Sequence, residues 1–362
     1  MVVIQMFKNF SVKSSHGEYY VKYCSWKETL NQHINNGDAV IVDNNIAKLY
    51  SDILDSIKDT NIIFIDASEE TKSYESIGDI IKNIISNNFS KNNKLIAIGG
   101  GITQDVTSFA ASIILRGVDW TFFPTNLASQ CDSCIGSKTS VNLGKYKNQL
   151  GGFYPPREIF IDFSFCKTLP EVDICAGLGE MMHYFLLENL DSLEILGEEI
   201  VKAKTDLNQL SKLIERSLLI KKTMVEIDEY DQGPRRIFNY GHTFGHALEA
   251  SSNFQVPHGI AVAYGIDLAN LISSELGLID IGLRNQIRKI LKDIFNICEI
   301  PIFNIDNYFS ALMRDKKNVN GVLHAILTRG LGDMFLTPIE MTDEIKNLIN
   351  KFYEQKLYDK SL

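Results

Sequence analysis

The chain has 362 residues, 45% hydrophobic and 22% charged, which is the composition of a soluble globular protein long enough for two ordinary domains. A formal net charge of −9 speaks against a general nucleic-acid binder and against docking on an anionic membrane. No apolar run approaches the roughly 20 residues of a spanning helix, and the N-terminal MVVIQMFKNF breaks too early for a secretory signal, so a cytoplasmic location is expected.

The first 26 residues carry little signal beyond GEYYVKYCSW, which reads as a strand of an edge hairpin. Apolar runs at 38–43, 61–66 and 94–98 then alternate with helical patterns at 46–58 and 74–86. Short apolar strands alternating with helices predict an α/β unit with a parallel sheet covered on both faces. Ligands of such sheets sit beyond the carboxyl ends of strands. Here those ends carry Asp43, Asn45, Glu69 and the run Gly99-Gly100-Gly101.

The glycine run opens a helix expected over 103–115. Glycines at a helix N-terminus let a phosphate approach backbone N–H groups, although the spacing is not that of the dinucleotide fingerprint. A tight turn needing glycine for geometry alone is an equal reading. Asp105 in the first helical turn is either a cap-region acid or a hydroxyl ligand. A strand over 119–126 follows, and then Asp132-Ser133-Cys134-Ile135-Gly136-Ser137-Lys138. Lys145, Lys147 and Asn148 fall in what reads as a loop, a place for an anionic substrate or an ordinary solvated surface. Residues 159–162 read as the last strand of this layer.

Six cysteines, at 24, 131, 134, 166, 175 and 298, are expected to be reduced and mostly buried. Cys131 and Cys134 form a single CxxC, with no second pair to complete a structural zinc knuckle.

Beyond residue 165 the periodicity becomes helical, over 174–190, 200–225, 259–277, 283–295 and 341–357. The expected organisation is therefore an α/β domain over 1–165 and a mostly α domain over 166–362. A helix near 173 carries Glu180 and His183 at i, i+3, in apolar surroundings where a bare carboxylate would be expensive to bury. The stretch GHTFGHALEASSNFQVPH holds His242, His246 and His258, the first two at i, i+4 on one helix face. Imidazoles gathered this way with a carboxylate suit a divalent cation.

The segments GGGITQDV, LRGVDWTFFPTNLASQCDSCIGSKTSVN, KNQLGGFYPP, LPEVDICAGLGEMMHY, NYGHTFGHALEA, PHGIAVAYG and MRDKKN occur in this order. Together they resemble the 3-dehydroquinate synthase and wider sugar-phosphate cyclase family. The resemblance implies a Rossmann-like NAD-binding domain followed by a helical domain, a bound catalytic NAD, one zinc or cobalt ion and a homodimer. It implies Glu180, His242 and His258 as metal ligands and leaves His246 to the substrate phosphate. NAD contacts are implied for Asp43, Asn45, Glu69, Lys72, Gly100, Gly101, Ile102, Asp105, Thr125, Asn126 and Lys147, with Phe165 and Thr168 near the domain boundary. Substrate contacts are implied for Asp132, Lys138, Asn148, Lys221, Arg235, Asn239, His246 and Lys316, and Arg116 would reach the phosphate site of a neighbouring subunit.

The implied reaction is cyclisation of a seven-carbon keto-acid phosphate with loss of phosphate, as in a shikimate-type pathway. The lysines and arginine would hold its phosphate and carboxylate. His183 stands where the family usually has lysine, Asn126 where it often has threonine, and Ser137 replaces a glycine. The Arg235/Asn239 pair favours 3-deoxy-arabino-heptulosonate 7-phosphate as substrate. The rival readings are a cyclase forming a different cyclitol, and a metal-dependent alcohol dehydrogenase.

Overall fold

A computed structural model describes residues 7–51, 57, 59–144, 146–188, 192–313 and 322–358. The chain divides into two compact units, Met1–Thr168 with Leu218–Asp231, and Leu169–Ser217 with Gln232–Leu362.

The first unit is built on seven strands: β1 Phe10–Ser14, β2 Gly17–Tyr23, β3 Ala39–Asp43, β4 Asn61–Ile65, β5 Leu95–Gly99, β6 Trp120–Pro124 and, last in the chain, Glu158–Ile161. That last strand is β9, because β7 (Lys138–Leu143) and β8 (Tyr146–Phe153) form a separate antiparallel hairpin. The sheet order is β1-β2-β9-β6-β5-β3-β4. All neighbours are parallel except β1 and β2, the edge hairpin expected from GEYYVKYCSW. Strands β3, β5 and β6 are buried along their whole length, as continuous Val/Ile/Leu/Phe runs require when both faces are covered. The chain leaves β3 for β4 on one side and returns to β5 on the other. The crevice beyond the carboxyl ends of β3 and β5 is thus a topological switch point, the usual place for a ligand.

Among the described residues, this unit carries helices α1 Trp26–His33, α2 Asn44–Leu49, α3 Tyr74–Ser86 and α4 Gly101–Ile113, together with the C-terminal half of a helix given below. Asp43 caps α2 by accepting from Asn45 N, and Ser73 caps α3 by accepting from Ser76 N. Helix α4 starts at Gly101, two residues earlier than expected, and stops at Ile113; Leu115 and Arg116 then take positive φ of 49° and 64°. Of the helix expected over 46–58, α2 starts earlier, at Asn44, and ends at Leu49 with Tyr50 as its C-cap; residues 52–56 and 58 lie outside the described residues. The stretch read as a loop around Lys147 and Asn148 is instead strand β8. Lys145 lies outside the described residues.

The second unit comprises α5 Glu171–Phe185, α6 Leu193–Ala203, the start of α7 Leu207–Ile227, α8 His242–Ser251, α9 His258–Glu275, α10 Ile281–Phe295, α11 Ile305–Met313 and α12 Asp343–Tyr358. The single pattern expected over 200–225 is two helices, because the carboxylate of Asp206 accepts from Asn208 N and starts a new one. An antiparallel pair in this unit, β10 Leu323–Thr328 with β11 Met334–Ile339, was not expected from the helical periodicity. Helix α9 is apolar on nearly every side and is buried from Gly259 to Asn270, which makes it the centre of this unit. Among the described residues, no helix is long and apolar enough to cross a membrane.

Candidate active site

Helices α5, α8 and α9 bring a carboxylate and imidazoles together in the second unit. His242 Nε2 lies 3.3 Å from Glu180 Oε1, and His258 Nε2 lies 3.3 Å from Glu180 Oε2. Glu180 is buried. Burial alone would raise its pKa, but His242 and His258 outweigh burial and hold it well below the usual carboxylate range.

The other ring nitrogens are engaged elsewhere. His258 Nδ1 donates to Glu249 Oε2 at 3.0 Å, and His242 Nδ1 donates to the Tyr240 carbonyl at 3.3 Å. Both partners can only accept, so Nδ1 carries a proton in each ring and Nε2 is the nitrogen turned towards Glu180, the one available to a metal. Two oriented imidazole nitrogens facing the oxygens of a buried carboxylate fit a borderline divalent cation such as zinc or cobalt.

Glycines permit this convergence. A Cβ at Gly259 would lie 1.8 Å from the Ala176 carbonyl oxygen, and one at Gly179 would lie 2.2 Å from the Gly259 oxygen. Helices α5 and α9 therefore touch backbone to backbone beside Glu180 and His258. Gly241 holds φ of 81° immediately before His242, a left-handed turn that favours glycine.

His246, one turn beyond His242, is exposed, with its ring centroid 5.5 Å from that of His242 and 5.4 Å from that of His258. The i, i+4 face expected from sequence is therefore formed. Arg235 is buried in the turn Pro234–Asn239, and Asn239 Nδ2 donates to the Arg236 carbonyl. Phe238 of that turn packs edge-on to Tyr184 of α5, with centroids 4.7 Å apart.

In the first unit, the residues expected to hold a nucleotide gather beyond β3, β4, β5 and β6. Gly100 caps α4, where a Cβ would come within 2.3 Å of Asn126 Nδ2. At Gly101 the nearest neighbour would be Ser133 Oγ at 4.0 Å, so the first turn of α4, which also carries Ile102, has room beside it. Thr125 N donates to the Gly99 carbonyl, and Asn126 Oδ1 accepts from Ser129 N. Lys72 Nζ lies 2.6 Å from Asp105 Oδ2, and Lys147 Nζ lies 3.6 Å from Glu69 Oε1. Burial raises the Asp105 pKa despite the pull of Lys72, and burial likewise raises that of Asp43.

Phe165 has its ring in the core, 4.9 Å from that of Trp26, and Thr168 Oγ1 meets the Tyr50 hydroxyl at 3.2 Å. Lys221 Nζ donates to both the side chain and the carbonyl of Asp132 at 2.7 Å. Lys138 pairs with Asp231 at 2.6 Å, and Asn148 Oδ1 accepts from Ser140 Oγ. Arg116 sits on the left-handed turn after α4, and Lys316 lies outside the described residues.

A family model described as 3-dehydroquinate synthase N-terminal matches residues 62–176, and one described as 3-dehydroquinate synthase C-terminal matches residues 177–318. The 3-dehydroquinate synthase of Alkaliphilus metalliredigens is 34% identical over 332 residues, covering 86% of this chain and 91% of its own. The chain belongs to the 3-dehydroquinate synthase family. A further 3-dehydroquinate synthase, from a Sulfurovum species, is 34% identical over 295 residues, 81% of this chain and 83% of its own.

A solved structure of 2-deoxy-scyllo-inosose synthase, complexed with carbaglucose-6-phosphate, NAD+ and Co2+, matches with a TM-score of 0.85 at 23% identity, over 97% of this chain and 100% of that one. At that identity the likeness is one of fold. A probable glycerol dehydrogenase from Sinorhizobium meliloti shares the fold more distantly, with a TM-score of 0.63 at 14% identity over 94% and 97% of the two chains.

Within this enzyme of the 3-dehydroquinate synthase family, sequence reasoning passed over Glu249. It lies three residues after His246, on the same side of α8, and a His-x-x-Glu spacing is the signal that could have found it. The CxxC is not joined: all six cysteines are free thiols, and Cys131, Cys134, Cys166 and Cys175 are buried. Burial pushes the Cys134 thiol up to about 12, which removes the thiolate that redox chemistry needs.

Proposed function

We propose that this enzyme converts 3-deoxy-arabino-heptulosonate 7-phosphate into 3-dehydroquinate with release of phosphate, as a cytoplasmic homodimer carrying NAD and one zinc or cobalt ion. The observation behind this reading is the approach of two Nε2 atoms to the two oxygens of one buried carboxylate, in a chain 34% identical to an enzyme named 3-dehydroquinate synthase. Glu180, His242 and His258 would hold the metal, which when bound polarises an alcohol or ketone oxygen and stabilises negative charge there. Asp43, Asn45, Glu69, Lys72, Gly100, Gly101, Ile102, Asp105, Thr125, Asn126 and Lys147 would hold NAD, which accepts and later returns a hydride.

The chain's own side chains supply orientation and charge. Lys138, Lys221, Arg235 and Lys316 are the cations for phosphate and carboxylate, and Asp132, Asn148 and Asn239 position them and the hydroxyls. Lys221 is already fixed by Asp132, so it loses little freedom when an anion arrives. Arg235 offers a fork of donors matched to a carboxylate, which is the reason for choosing a keto acid over a neutral sugar phosphate. His246, exposed one turn from His242, can hold or move a proton at a phosphate oxygen. Arg116 would reach the neighbouring subunit. On this reading residues 1–165 form the nucleotide-binding domain and 166–362 the metal-binding domain.

A phosphate-release assay on a panel of seven-carbon sugar phosphates tests the proposal. The expected result is release from 3-deoxy-arabino-heptulosonate 7-phosphate, a carbocyclic product and no net NADH. Release from sedoheptulose 7-phosphate alone would move the enzyme to another cyclase reaction, and net NADH from a simple alcohol would make it a dehydrogenase.

A further inference from the structure

His183 is a buried donor beside the metal-binding cluster that the reading above leaves without a task. It lies three residues after Glu180 on α5, which places both side chains on one face. It is 1% exposed. Its Nδ1 is 3.9 Å from Glu180 Oε1, and its ring stands edge-on to that of His242, with centroids 5.1 Å apart at 82°. One ligand atom from each of Glu180, His183 and His242 lies within 4.8 Å of the others.

The distances bear on a shared centre. Nitrogen and oxygen ligands sit about 2.0–2.2 Å from zinc, so two ligands of one tetrahedral ion are roughly 3.3–3.6 Å apart. The separations here, 3.3 Å from Glu180 to His242 and 3.9 Å from Glu180 to His183, are of that order. A Glu-x-x-His pair on one helix is also a recurrent way for helical proteins to offer a carboxylate and an imidazole to the same metal. Aromatic rings also stand beside His183, with Tyr184 at 3.8 Å and Phe238 at 6.1 Å between ring centroids.

We propose that His183 is a further protein ligand of the divalent cation, giving a set of Glu180, His183, His242 and His258, with the substrate oxygen entering as a fifth ligand, an expansion that zinc accepts. This rests on the metal reading of the preceding section. Three imidazoles and one carboxylate make a nitrogen-rich set, which favours cobalt, nickel or zinc over magnesium and manganese.

The test begins with the unmutated chain loaded with one equivalent of Zn2+ or Co2+. X-ray absorption should count three imidazoles, a measurement that does not depend on any variant folding. In a chelator competition, His183→Gln should bind Zn2+ at least about 100-fold more weakly, beyond the roughly 10–100-fold that follows loss of an outer hydrogen-bond partner. The visible absorption of bound Co2+ should also change in that variant. Two imidazoles in the unmutated chain overturns the proposal. So does a His183→Gln variant with an unchanged cobalt spectrum, which would make His183 an outer partner only. His242→Ala separates the two levels of the argument: if it keeps full affinity, or if the unmutated chain takes up no metal, the metal reading itself fails and this inference falls with it.

Discussion

Substituting Gly259 with alanine should separate α5 from α9 and loosen the cluster proposed to hold the metal in one step. The added Cβ would lie 1.8 Å from the Ala176 carbonyl oxygen, about 1.2 Å inside the 3.0 Å that such contacts respect. Neither partner is the end of a flexible side chain, so a helix must move by about 1 Å. Overpacking of this kind costs about 3 kcal/mol or more, of which alanine's helix propensity returns at most about 1 kcal/mol. The net loss of about 2 kcal/mol corresponds to a fall in Tm of roughly 4–8 °C for a unit of this size.

His258 is the residue before Gly259, so its Nε2 moves with the helix, and a displacement near 1 Å is large against a metal–nitrogen bond of about 2.0–2.1 Å. Zinc affinity should fall at least about 10-fold, as it does when a ligand loses its orientation. Calorimetry of the metal-free protein and a chelator competition read the two effects separately. Gly197→Ala is the control: its Cβ would meet Ile290 Cγ1 at an ordinary 3.4 Å, so Tm and affinity should hold or improve slightly. If Gly259→Ala matched the unmutated protein in both assays, the argument that bare backbone contact sets the metal geometry would be refuted.

Glu180→Gln keeps the shape of the buried side chain and removes its charge, so turnover should fall at least about 1,000-fold, near 4 kcal/mol of lost transition-state stabilisation, with little change in circular dichroism. Retention of both metal and turnover would show that the carboxylate is not a ligand. Glu229 accepts from Ser14 Oγ, Ser15 N and Ser137 Oγ at 2.5, 2.8 and 2.7 Å; burial works against its ionisation, but these bonds prevail and hold its pKa below the ordinary value. A depressed carboxyl contributes stability above its unfolded pKa and loses it as pH falls through the folded value. Glu229→Gln should therefore destabilise by roughly 2–3 kcal/mol at neutral pH in urea titrations, with the gap closing in acid; a gap that widens on acidification would reverse the assignment. Thiol reagents should leave Cys131, Cys134, Cys166 and Cys175 untouched in the native protein and reach all six cysteines only after unfolding. Rapid native labelling of Cys134 would mean that its burial is wrongly drawn.

Sequence pattern revealed most where one local signal dominates. Helix α3 occupies the expected span, because a serine cap precedes Ile77, Ile80 and Ile84 on one buried face. The fully apolar runs of β3, β5 and β6 were equally plain. Strands β7 and β8 were not, because Lys138, Asn142, Lys147, Asn148, Gly151 and Gly152 give them the composition of a loop; a Cβ at Gly151 would fall 1.9 Å from the Thr139 carbonyl oxygen, so glycine there serves close pairing. The spacing of His242 and His246 pointed to a shared helix face and could not show which nitrogen faces where. That depends on Glu249 and the Tyr240 carbonyl, partners fixed by the fold. Pairings between distant residues, such as Lys72 with Asp105 and Lys221 with Asp132, leave no trace in local composition.

The bonds from Ser14 and Ser15 to Glu229 span some 215 positions of chain. A ribosome adding about 5–20 residues per second takes roughly 10–40 s to cover that distance. The edge hairpin must also wait for Ile161 before β9 can pair with it. Its first strands, FSVKS and GEYYVKY, therefore emerge long before their last partners exist, and through that interval their unpaired edges need shelter from other chains. Slow synthesis or a missing chaperone should harm the yield of this protein more than its finished stability would suggest.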